Sequence, residues 1–208
     1  MDADDWSRIA VIIPSIIVHE VSHGAVASHF GDDTAKRAGR LTLNPIAHID
    51  LFGTIILPVI LALTSIGAFG YAKPVPVNPR NLRDPKQHSL YVSLAGPATN
   101  LVIALLAAVV LRFAYPDVLT SPDLSIVARL LFWLGFMNVV LAAFNLLPIP
   151  PLDGSALIER VLPRQWWPTW LKYRQSGFGV LLLLMFVFPR VLGDHVFEPA
   201  LRQWGRLL

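Results

Sequence analysis

The chain has 208 residues, 54% of them hydrophobic and 15% charged, with a formal net charge of +3 and no cysteine. An average soluble domain carries about 25% charged residues, so this composition excludes an ordinary soluble domain and points to a polytopic membrane protein. The missing cysteine excludes disulfides and thiolate metal sites, and the scatter of basic residues through short loops excludes a nucleic-acid surface.

The N-terminus, MDADDWSR, lacks the basic region of a signal peptide. The first apolar run, from about Trp6 to Phe30, is therefore expected to stay as a span. It contains His19, Glu20 and His23 in the pattern H-E-x-x-H. On a helix, positions i and i+4 share a face one turn apart. Two imidazoles so placed can bind one zinc ion, with the intervening glutamate activating a water on the metal. An ionisable residue at the centre of a span costs about 2.5 to 3.5 kcal/mol, and zinc offsets that by pairing with its ligands. The bland reading is a pair of packing histidines with Glu20 facing a polar cavity.

A zinc site needs a third ligand. His29, ten residues after His19, has the spacing of the third histidine in soluble H-E-x-x-H-x-x-G-x-x-H proteases. Those enzymes need a glycine where Val26 stands here. On a continuous helix His29 lies about 15 Å along the axis from His19, on another face. His48, just beyond the span, is a second candidate. The third is Asp153 in FNLLPIPPLDGS, residues 144–155. Three prolines there forbid a regular helix, and irregular backbone at membrane depth must be buried in protein or line a cavity. A carboxylate at that point can complete a two-histidine, one-aspartate site, although Asp-Gly is also an ordinary turn.

The rest of the chain gives one ambiguous segment and three clear spans. Leu51 to Phe69 is apolar but contains Pro58 and glycines at 53 and 67. Spans follow at Ser89 to Phe113, Ser125 to Leu147 and about Tyr173 to Leu192. GRLTLNP (39–45) and YAKPVPVNP (71–79) read as extended chain or short edge strands. WWPTW (166–170) fits an aromatic belt, and the amphipathic tail after Pro189 suits the membrane surface. The fold expected is an all-α polytopic membrane protein of about four to five transmembrane helices. A re-entrant hairpin and short β-strands on the cytoplasmic side complete it, in one integral-membrane domain over residues 1–208.

HEVSH in a first span, SLAGPATN in a middle span and NLLPIPPLDGS after the next resemble the site-2 proteases, intramembrane zinc metalloproteases. The likeness runs from about Trp6 to about Arg160. GRLTLNPIAHIDLFGT and YAKPVPVNP are similar to the compact subgroup without a PDZ or CBS domain. The resemblance implies His19, His23 and Asp153 as ligands of one zinc ion and Glu20 as general base. It also implies Asn145 and Asn100 as polar groups near the site, supporting the substrate backbone or an oxyanion; helix–helix hydrogen bonding is the alternative for both. The final Gly154-Ser155 departs from the double glycine of many members.

For His23 and Asp153 to meet, the spans ending near them must run parallel, with Ser89 to Phe113 opposed. Leu51 to Phe69 must then be re-entrant. Lys and Arg cluster in the loops on the His23 side, so the active site is expected toward the cytoplasm. The expected activity is hydrolysis of membrane-spanning protein substrates within the lipid bilayer. Two rivals are a catalytically silent adaptor of the same fold that binds transmembrane partners, and a zinc carrier.

Overall fold

The computed structural model describes residues 2–50, 73–121 and 123–208. Leu51 to Phe69, expected as a re-entrant hairpin, lies outside them. Helix α1, Ala3–His29, starts at a capping box in which Asp5 N donates to Asp2 Oδ1 (2.8 Å) and Asp2 N to Asp5 Oδ2 (3.1 Å). It ends at Gly31, whose φ of +108° belongs to the left-handed region that favours glycine. The short α2, Thr34–Arg37, and a 3₁₀ turn at Pro45–His48 follow.

Residues 73–78 are irregular and lead through a second 3₁₀ turn, Pro79–Asn81, into α3, Pro85–Ala114. Helix α4, Ile126–Asn145, is capped by Ser125 Oγ, which accepts from Ala128 N. After a loop carrying Asp153 come α5, Ser155–Val161, and α6, Trp167–Phe186. The chain closes with α7, Pro189–Leu192, a π-helical turn at Gly193–Phe197, and α8, Glu198–Gly205.

Helices α1, α3 and α4 are long and apolar enough to cross a membrane. The expected span at Tyr173 to Leu192 is broken instead: Ser176–Phe186 and Pro189–Gly205 meet at 89°. Pro189 cannot continue the preceding helix. The described residues therefore supply three spans, or four if the bent pair counts as one, rather than four to five. Nor do they contain a strand. Pro74 and Pro76 have no N–H to offer a ladder, and Lys73 is instead tied off by His48 O, which accepts from its N–H (3.0 Å), and by Arg40 Nη2, which donates to its carbonyl (2.7 Å).

Cross-helix contacts fix the packing directions. Trp133 meets Asp4, and Asn138 meets Ser15, so positions rise together along α1 and α4, which run parallel. Val92 meets His23 and Asn100 meets His19, so α3 runs against α1. This is the arrangement that the metal argument required. The inward face of α3 is small and polar (Gly96, Asn100, Ala104, Ala107, Ala108), whereas Leu101, Leu105, Leu106 and Val109 face outward. In lipid, burying Leu gains little; close backbone approach and polar pairing hold helices together.

Candidate metal centre

His19 and His23 project from one face of α1 into the bundle, and both are buried. Each ring is fixed on its Nδ1 side. His19 Nδ1 lies 2.5 Å from Asn100 Oδ1, and His23 Nδ1 lies 2.6 Å from the Val92 carbonyl. Both partners are acceptors, so both rings carry their hydrogen on Nδ1 and present a lone pair at Nε2. The loop after α4 folds back, closed by Gly154 N donating to Asn145 O (2.7 Å), and delivers Asp153 to the same point.

Asp153 Oδ2 lies 3.2 Å from His19 Nε2 and 3.4 Å from His23 Nε2, and the two Nε2 atoms are 3.1 Å apart. With both imidazoles neutral, no hydrogen lies between these three atoms. Asp153 Oδ2 is buried without a hydrogen-bond donor. Three lone-pair atoms converging in a buried space repel one another unless a cation sits among them. Among the described residues these three alone form a His, Cys, Asp or Glu group able to hold a metal ion, and the donor set fits one. Gly96 is what makes room: a Cβ there would stand 2.5 Å from Nε2 of both histidines.

Glu20 is half-buried beside the cluster, and its Oε2 accepts from Val75 N (2.8 Å). A cleft of about 940 Å³ opens onto His19 and Glu20, lined mainly by apolar side chains such as Ile16, Phe144 and Phe178, with Asn145 at its wall. Asn145 Nδ2 donates to Leu141 O (3.0 Å).

Asn100 differs from its expected oxyanion-supporting place. It is fully enclosed, and its amide is used between His19 and Asn138, so it faces the back of a histidine rather than the cleft. His29 is exposed at the end of α1, on another face from His19. His48 is buried, its Nε2 bonded to Thr42 O (2.8 Å), and outside the metal cluster. Sequence reasoning missed Val75, Asn138 and Ser15. The signal for Asn138 was available: it is an amide in the middle of an apolar span, where polar groups are functional by default.

An apolar helix bundle enclosing two histidines and an aspartate, with a glutamate beside them at a cleft, defines a membrane metallopeptidase. The model of the family described as Peptidase family M50 matches residues 7–122 and 119–187. The chain belongs to this family, that of the site-2 proteases. It is 40% identical to "Putative zinc metalloprotease YwhC" of Bacillus subtilis over 93% of this chain and 84% of the relative. It is 34% identical to "Putative zinc metalloprotease Rip2" of Mycolicibacterium smegmatis over 94% and 68%. To "Putative zinc metalloprotease MJ0611" of Methanocaldococcus jannaschii it is 30% identical over 82% and 75%. No solved structure matches the chain.

Proposed function

We propose that residues 1–208 form one intramembrane zinc endopeptidase domain that hydrolyses peptide bonds of membrane-spanning proteins. The observation that carries this reading is the convergence of His19 Nε2, His23 Nε2 and Asp153 Oδ2 within 3.1 to 3.4 Å of one another in a buried space, beside a carboxylate at an apolar cleft. The three residues are the ligands of one zinc ion. Bound zinc supplies Lewis acidity, polarising a carbonyl and easing deprotonation of water.

Glu20 is the general base. The Val75 N–H holds Oε2, so the carboxylate is oriented and Oε1 is left to take the proton from the attacking water and return it to the leaving amine. Asn145, at the cleft wall, hydrogen-bonds the substrate backbone near the scissile carbonyl. The apolar lining receives a lipid-embedded segment and keeps bulk water from the reacting groups.

The test compares the parent chain with Glu20→Gln and Asp153→Ala, purified in detergent, for metal content and cleavage of single-span substrates. The parent should hold about one zinc and cleave. Glu20→Gln should keep the metal while its rate falls about 10²- to 10⁴-fold, and Asp153→Ala should lose the metal. A parent that holds zinc but cuts no substrate in a broad panel would support the silent-adaptor role instead.

A further inference from the structure

A chain of buried hydrogen bonds runs behind His19, through three helices. Asn100 Nδ2 donates to Asn138 Oδ1 (2.6 Å). Asn138 Nδ2 donates to Ser15 Oγ (2.8 Å) and to Leu134 O (2.8 Å). Ser15 Oγ donates to Val11 O (2.7 Å). His19 is 6% exposed, Ser15 2%, and Asn100 and Asn138 0%, so water cannot replace a lost partner.

The chain has only one consistent direction. Carbonyls of Val11 and Leu134 can only accept. Ser15 therefore spends its hydrogen on Val11 and must accept from Asn138. Asn138 thereby turns its Nδ2 toward Ser15 and Leu134 and its Oδ1 toward Asn100. Asn100 in turn gives Nδ2 to Asn138 and Oδ1 to His19. His19 must then carry its hydrogen on Nδ1, which leaves the Nε2 lone pair facing His23 and Asp153. Reversing either amide would set two donors or two acceptors against each other in a dry interior, at a high cost.

We propose that Asn138, backed by Ser15, is a positioning residue that fixes the ring orientation and tautomer of His19 through Asn100 and so sets the affinity of the centre for zinc. This rests on the reading of His19 as a zinc ligand. His23 is served by a main-chain carbonyl and needs no such relay, so the relay acts on one ligand of the pair. Outer partners of metal-bound histidines commonly carry this burden. The competing role is plain adhesion of α1, α3 and α4, which side-chain amides also provide in membranes.

Zinc itself is the probe. Its Kd is measured by chelator competition on the full chain in detergent, for the parent, Asn138→Leu, Ser15→Ala and Ser15→Thr. Thermal unfolding is followed with chelator and with saturating zinc. Asn138→Leu should bind zinc about 10- to 100-fold more weakly, and Ser15→Ala about fivefold more weakly, the equivalent of one neutral hydrogen bond. Ser15→Thr, which keeps the hydroxyl, should restore parent affinity. The stabilising increment from zinc should shrink in step with each Kd. If Asn138→Leu does not fold, Ser15→Ala against Ser15→Thr decides. Variants with parent-like Kd that lose only metal-free stability would overturn the proposal in favour of adhesion. A parent that binds no zinc would overturn the metal reading itself, so the two failures are distinct.

Discussion

Asp32 lies just past the end of α1 and is fully buried. Its Oδ1 accepts from Thr34 N (3.1 Å), Thr34 Oγ1 and Asn81 Nδ2 (2.9 Å), and its Oδ2 from Asn78 N (2.6 Å). The carboxylate thus ties the exit of α1 to the segment that brings Val75 onto Glu20. Burial pushes the Asp32 carboxyl up, but the donors from Thr34, Asn81 and Asn78 outweigh it and hold the carboxyl below the usual range. A depressed folded pKa stabilises above the unfolded value of about 3.9, and that contribution is lost as pH falls through the folded pKa. Asp32→Asn should therefore cost about 1 to 3 kcal/mol at pH 7. The gap from the parent should narrow below about pH 4. Thermal unfolding at both pH values checks this; a gap that is unchanged in acid would deny the carboxylate its role. At this scale the legible residues were those whose relation is local. His19, Glu20 and His23 needed only helical periodicity, and Asp153 stood out because prolines break the span before it. Asn138 was legible only as a polar group within a span; its partners, and those that tie down Asp32 and Ser15, lie 38, 46 and 123 positions away, and no local pattern encodes that register.

The C-terminal elements show where amphipathicity misleads. The tail after Pro189 was expected along the membrane surface, yet Trp204 of α8 is buried. Its indole N–H donates to Ala104 O of α3 (2.9 Å), and its ring lies where a Cβ at Gly135 of α4 would stand. An apolar stripe on a short helix reads the same whether it meets lipid or its own bundle. What distinguishes them is a matching hole, here the glycine in α4, and an acceptor within reach of the indole, here Ala104 O. The tail thereby clasps α3 and α4 from outside the site. Trp204→Ala should lower stability by about 3 kcal/mol. Trp204→Phe, which keeps most of the ring and loses the N–H bond, should cost about 1 kcal/mol. Both should leave zinc stoichiometry intact in the folded fraction. Differential scanning in detergent with metal analysis reads both; equal stability of Trp204→Ala and the parent would return the tail to the surface.

For the whole molecule, parallel α1 and α4 with opposed α3 sort the loops into two ends. One end gathers the start of α1, the end of α3 and the start of α4. Its basic residues are largely neutralised: Arg8 pairs with Asp5 and stacks on Trp133, and Arg129 pairs with Asp4. Arg112 reaches Leu207 O, which brings the end of the tail here too. The other end gathers the exit of α1, the entry of α3 and the exit of α4. It carries Lys36, Arg37, Lys73, Arg80, Arg83, Lys86, Arg160 and Lys172. Lys and Arg in short loops hold their side in the cytoplasm, which predicts a cytoplasmic location for the end bearing His23 and Asp153. The natural absence of cysteine makes this directly measurable, since each introduced thiol is the sole label. In intact cells an impermeant thiol reagent should label Asp117→Cys and spare Lys36→Cys, Lys86→Cys and Arg160→Cys, which should react only after permeabilisation. Labelling of Lys36→Cys and Lys86→Cys from outside would invert the protein and put the metal end on the outer face. A split between those two positions would break the antiparallel pairing of α1 and α3, on which the meeting of His19 with Asn100 depends.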